Sequence, residues 1–287
     1  MRDLSKTLII SFLTICTLSF IACSNQSSKK GAATKPPEMV TPTNTTTATN
    51  TNTDTSTGTT TDITNLNGTR PKILVVGWGP TDCQPFVDWM VEDGFPKEHA
   101  YLFKYSYMKD PETVKGELAE QFRQVFAKYP EDVKFDVIGL STGHFTSIYT
   151  IMEEGFDTRI ARIIGAVGIA HGINSVGLDY RTPSIVYSYD DPGYSLIVGK
   201  TIAALSPYMN PFLTSFYQKY DARIKNIRKC SIFSPQDSLI APYDTGKFDD
   251  GENYSVPGIK HISGLDDRDS LYTHVVENCF KGSWFNQ

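Results

Sequence analysis

The chain has 287 residues, a formal net charge of -5 at pH 7 and 12% aromatic residues. It is long enough for one domain of about 215 residues plus an extension, and too short for two large domains. No basic stripe is visible along this mildly acidic chain, which argues against a nucleic-acid partner.

The N-terminus reads as an address. Arg2 and Lys6 form a short basic region, and Thr7 to Ala22 is an apolar run too short to span a bilayer comfortably. It ends in Phe20-Ile21-Ala22-Cys23-Ser24. This resembles the lipobox of bacterial lipoproteins, which implies a signal peptide over 1–22 and lipidation of Cys23. An ordinary secretory signal or a membrane anchor are the alternatives, and each of the three exports the protein. Residues 23–70 then lose all hydrophobic periodicity. About half of Thr41 to Thr69 is threonine, a composition that cannot offset chain entropy by burial. The stretch is expected to be a disordered tether, with the folded domain over 71–287.

Lys72 to Val76 is a continuous apolar run, as in a strand buried on both faces, and stops at Gly77-Trp78-Gly79-Pro80. A helix is expected over Pro85 to Asp93, a strand over Tyr101 to Tyr105 and an amphipathic helix over Glu112 to Tyr129. A strand from Val133 to Ile138 then leads into Gly139-Leu140-Ser141-Thr142-Gly143. Gly-x-Ser-x-Gly between a strand and a helix is a nucleophile elbow, whose tight turn needs small residues two before and two after the serine. Arg159 to Ile169 reads as a further buried strand and Ser184 to Tyr189 as a short one. Tyr194 to Tyr220 carries many apolar residues and few charges, so it is either a pair of helices packed on the sheet or a lid over the site. Cys230 to Ser234 is the last clear strand, Tyr254 to Ile259 leads to His261, and Asp269 to Cys279 is a closing helix. Strands alternating with helices imply an α/β protein with a mostly parallel sheet, whose active groups collect at the carboxyl ends of the strands.

A serine hydroxyl needs a base, and the base needs a third group to fix its tautomer. After an elbow the chain order is serine, acid, histidine. His261 lies in a loop after a strand and before the last helix, where the base is expected. His99 precedes the serine and reads as a surface residue. His144 sits on the elbow helix, beside the serine rather than in front of it. His171 follows the next strand, near the site but early for the base, and His274 is inside the last helix. For the acid, Asp237 follows the Ser231 to Ser234 strand end, with Asp190 and Asp191 as competitors. The other aspartates, among them Asp249, Asp250, Asp266, Asp267 and Asp269, sit in polar loops or at a helix cap.

Taken together, these segments resemble the class 2 bacterial lipases, small secreted serine esterases of the α/β-hydrolase fold. Four stretches carry the resemblance: Ile73 to Gly79, Val137 to Gly143, Ser231 to Ile240 and Pro257 to Leu265. It implies hydrolysis of carboxylic esters of lipids or short acyl chains, with Ser141, Asp237 and His261 as the triad. It also places the oxyanion donors on the backbone amides of Trp78 and Thr142. The chain departs from the family at Val76, Leu140 and Thr142, where His, His and Met are usual, and at His144, which replaces a second glycine.

No cofactor is expected, and no Cys/His cluster has zinc spacing. Cys83, Cys230 and Cys279 remain in an oxidising setting, where a bridge between Cys230 and Cys279 would brace both partners of the serine; three buried thiols are the alternative. The expected partners are a lipid or acyl-ester substrate and a membrane surface reached through the N-terminal anchor, with the chain itself a monomer. Two other functions fit the same residues: a surface lipoprotein that keeps the fold but only binds an apolar ligand, and an acyltransferase.

Overall fold

Alternation of side chains along a strand lets one strand feed two cores, and the central strands here do so. Ile73 and Val75 of β1 (Lys72–Val75) join Val137 of β3 (Phe135–Leu140) in one apolar cluster, while Leu74, Ile138 and Leu140 join another. The computed structural model describes residues 69–77, 83–176, 201, 204–237, 239–261 and 267–284.

Among the described residues six strands form one sheet in the order β2-β1-β3-β4-β6-β8, and every neighbouring pair is parallel. The remaining strands are β2 (Ala100–Phe103), β4 (Ile160–Ala166), β6 (Arg228–Phe233) and β8 (Glu252–Ser255). A separate antiparallel pair joins β5 (Ser175–Val176) to β7 (Ile240–Ala241). One face of the sheet is covered by α2 (Pro111–Phe126), α3 (Thr142–Glu153) and α4 (Pro211–Lys225). The other carries α1 (Gln84–Glu92) and a closing helical segment, α5, wound as Arg268–Tyr272 and Val275–Cys279.

Helix starts follow local chemistry. The Asp110 carboxylate accepts from Thr113 N at 2.9 Å and the Asn210 side chain from Leu213 N at 3.0 Å, each with proline in the first turn. This second cap sets α4 later than the expected helices of 194–220. Leu213, Phe216 and Tyr220 of α4 are buried, and Phe212 and Phe216 pack on Phe145 and Tyr149 of α3 at ring separations of 5.4–5.9 Å. From Pro211 onward, therefore, the apolar run packs on the elbow helix, while Tyr208 and Met209 before it are exposed; residues 194–200 and 202–203 lie outside the described residues, as do Ser184 to Tyr189. β4 ends at Ala166, three residues before the expected Ile169, because Val167 turns the chain with φ 43°.

Candidate active site

β3 delivers Ser141 at the carboxyl end of the sheet, between its last residue and the first turn of α3. Ser141 has φ 53° and ψ -125°, a conformation rare for a residue with a side chain and held only when its surroundings over-determine it. The surroundings do. Ser141 N donates to Ala166 O at 3.2 Å, and Ser141 O accepts from His144 N at 3.1 Å and Ile169 N at 3.0 Å. The two elbow glycines are required by close approach. A Cβ on Gly139 would lie 2.6 Å from His144 N, and one on Gly143 would collide with the carbonyl oxygens of Val75 and Val76. Gly77 is equally tight: a Cβ there would lie 2.6 Å from that of Ser141.

In front of the serine stands His261. Its Nε2 is 2.8 Å from Ser141 Oγ, and its Nδ1 is 2.7 Å from Asp237 Oδ2. A carboxylate only accepts, so Nδ1–H donates to Asp237 and Nε2 is left to accept the serine proton. The other carboxylate oxygen, Oδ1, accepts from Leu239 N at 2.9 Å and Ile240 N at 3.1 Å. All three side chains are buried.

The two loops that carry the acid and the histidine are tied together. Gly258 N donates to Gln236 Oε1 at 3.0 Å, joining the residue before Asp237 to the turn before His261. Further out, Cys230 of β6 and Cys279 of α5 form a disulfide with Cα atoms 5.8 Å apart, and Cys83 is buried apart from that bridge. The antiparallel β5–β7 pair begins at Ile240, whose amide is one of the Asp237 donors.

The remaining histidines are elsewhere. His144 is fully buried with its ring against Gly165 and Gly168, where a Cβ would lie 2.5 Å from Nδ1 and 2.8 Å from Cβ respectively. Neither ring nitrogen has a hydrogen-bond partner among the described residues, and burial pushes its pKa down to about 3. His171 donates through Nε2–H to Lys247 O at 2.8 Å and packs on Tyr217. His99 corrects the surface expectation: it is buried, with Nδ1 2.8 Å from the hydroxyl of Tyr129, three residues beyond α2. His274 is partly buried in α5. Of the other aspartates, Asp250 pairs with Lys229 at 3.0 Å and Asp267 caps Asp269 N.

Thr142 is fully buried at the first position of α3, where a helix amide has no partner within the helix. Its Oγ1 lies 2.9 Å from the Tyr105 hydroxyl, a contact between residues 37 apart. Trp78, Cys23, Asp190, Asp191 and Asp266 lie outside the described residues. Among the described residues no group of three His, Cys, Asp or Glu side chains is placed to hold a metal ion, and no helix is long and apolar enough to cross a membrane.

No protein-family model and no curated protein sequence matches the chain. Solved structures do. The mature form of the Bacillus licheniformis lipase BlEst2 superposes with TM-score 0.53 at 13% identity, covering 69% of this chain and 87% of that one. Its propeptide form gives TM-score 0.54 at 14% identity, covering 73% of this chain and 50% of that one. An α/β hydrolase superfamily protein from Enterococcus faecalis gives 0.47 at 14% identity, covering 76% and 90%. With the parallel sheet and the elbow, the BlEst2 superpositions show the α/β-hydrolase fold.

Proposed function

We propose that the chain is an exported serine hydrolase that cleaves carboxylic esters of lipids or short acyl chains, of the kind found among class 2 bacterial lipases. The observation that carries this reading is the hydrogen-bonded line Ser141 Oγ–His261 Nε2–His261 Nδ1–Asp237 Oδ2, at 2.8 and 2.7 Å. In this reading Ser141 Oγ attacks the ester carbonyl while Nε2 of His261 takes its proton. Asp237 fixes the tautomer and stabilises the imidazolium. The amides of Thr142 and Trp78 hold the oxyanion, aided by the positive end of α3. Collapse of the intermediate expels the alcohol, which leaves with the proton from Nε2. Water then attacks the acyl-enzyme, Nε2 takes its proton, and Ser141 recovers it as the carboxylic acid departs.

The same reading places the chain at a membrane surface through a lipidated Cys23, with residues 23–70 as the tether and a monomeric domain over 71–287. The lipobox-like Ile21-Ala22-Cys23 and the threonine-rich composition support it. The test is covalent labelling by a fluorophosphonate, which requires an activated serine. Wild-type protein should be labelled and Ser141→Ala should not. An unlabelled wild type would leave an apolar-ligand binder built on the hydrolase fold.

A further inference from the structure

The structure points to a residue beyond the triad. We propose that Tyr105 is a positioning residue for the oxyanion site, holding the first turn of α3 so that the Thr142 amide faces the reacting carbonyl oxygen. This rests on the ester-hydrolase reading of the site.

Topology makes the contact unusual. Tyr105 lies two residues beyond β2, Thr142 begins the helix after β3, and β1 runs between those two strands. The Tyr105 side chain therefore spans the carboxyl end of β1. It packs against the apolar clusters on both faces of the sheet, so it closes the top edge between them. Its hydroxyl ends 2.9 Å from Thr142 Oγ1. Burial pushes that hydroxyl up to about 12, opposed by its hydrogen bonds to Thr142 and Thr146, so it stays protonated across the neutral range.

The contact continues into the helix. Thr146 Oγ1 donates to Thr142 O at 3.1 Å, and Thr150 Oγ1 donates to Thr146 O at 2.8 Å. Three threonines four residues apart thus run a hydroxyl ladder up a buried helix face, with Tyr105 at its foot. Such back-bonds are not what a helix needs for stability and they bend its axis. Here they give the first turn a fixed side-chain reference. Threonine has few χ1 choices, so pinning Oγ1 fixes the rotamer and, with it, the backbone of the residue whose amide is the donor. An oxyanion donor must be held to within about 0.5 Å, and small misplacements are expensive in rate.

The experiment uses the full chain and four variants, with kcat and KM on a soluble p-nitrophenyl ester, the rate of fluorophosphonate labelling and the melting temperature. Tyr105→Phe and Thr142→Val should each lower kcat and the labelling rate by about tenfold at unchanged KM, less than the loss of a whole oxyanion donor. Their double variant should be no slower than the worse single, since both break one link. Tyr101→Phe is the matched control: it removes another tyrosine hydroxyl, one bonded to Tyr129 at 2.8 Å, and should leave kcat unchanged. Multiplying losses, a change in KM alone, or equal kcat for Tyr105→Phe and Tyr101→Phe would overturn the proposal. If Thr142→Val does not fold, the two tyrosine variants decide between them. Labelling of the wild type separates the premises. A wild type that takes no label overturns the hydrolase reading and this proposal together. A labelled wild type with an unaffected Tyr105→Phe overturns this proposal alone.

Discussion

The space in front of Ser141 and the space behind it each hold a buried histidine, and the two are held in opposite ways. His261, in front, has both ring nitrogens bonded, one to Ser141 and one to Asp237. His144, behind, has neither bonded among the described residues and is fixed by shape, between Gly165, Gly168 and the edge of the Phe248 ring. Burial favours the neutral imidazole at His144. What makes a base is the second partner, which sets the tautomer and aims the free lone pair. His144 has the proximity, its amide bonded to Ser141 O, but its ring meets carbon. It holds the wall against which the Val167 to Ile169 turn closes on the elbow.

The largest effects should come from breaking the front. Ser141→Ala and His261→Ala should each lower ester turnover by about 10³-fold or more. Asp237→Ala should cost about one to two powers of ten less, since the serine–imidazole contact outlasts the loss of its orienting group. His274→Ala should stay near wild type. A live His261→Ala beside a dead His274→Ala in steady-state assays would reverse the assignment.

The front of the site could be read in the sequence and the back could not. The elbow was legible because its glycines answer to a local requirement, and the serine–acid–histidine order because each partner follows a strand. The wall behind was not. His144 is accommodated by Gly165 and Gly168, which reach it only once β4 lies beside β3, and no spacing within α3 announces them. Gln236 and Tyr105 were missed for the same reason, since their partners are 22 and 37 residues away. His99 reads as a surface residue because Tyr129, its buried partner, comes from the turn after α2, 30 residues away. By contrast, the late start of α4 was readable: Asn210-Pro211 is a cap followed by proline at the first helical position.

A second, smaller effect tests how the front is braced. The disulfide joins residues 49 apart, linking the strand before Asp237 to the helix after His261. Cys230→Ala with Cys279→Ala should lower the unfolding free energy by about 2–5 kcal/mol. Turnover per folded molecule should change little, because Gln236 and the Asp237 amide donors hold the two loops locally. Denaturant titration and active-site labelling measure the two separately. A large loss of labelling in protein that is still folded would show that the bridge sets the triad geometry itself.

The smallest effect concerns the back, and its sign follows from linkage. His144 titrates near 3 in the folded chain, against about 6.5 unfolded, because burial disfavours its charged form and the nearby His171 adds to the effect. Between those values the unfolded state binds one more proton, so folding stability falls as pH falls. The contribution is complete above pH 6.5 and is lost on the way down to about 3, by up to about 1.4 kcal/mol for each pH unit. His171, whose pKa burial also lowers, acts in the same direction and remains in the variant, so it cancels in a difference. His144→Phe keeps a flat ring in the slot and removes the titration. A six-membered ring crowds Gly165 and shifts absolute stability, so the slope is the observable. Unfolding free energies measured from pH 6.5 to 5, above the range where most carboxylates titrate, should fall more steeply for wild type than for His144→Phe. Parallel curves would mean that His144 can take a proton where it sits, with a partner at its ring, and the contrast between the two histidines would then be one of role and no longer of hydrogen bonding.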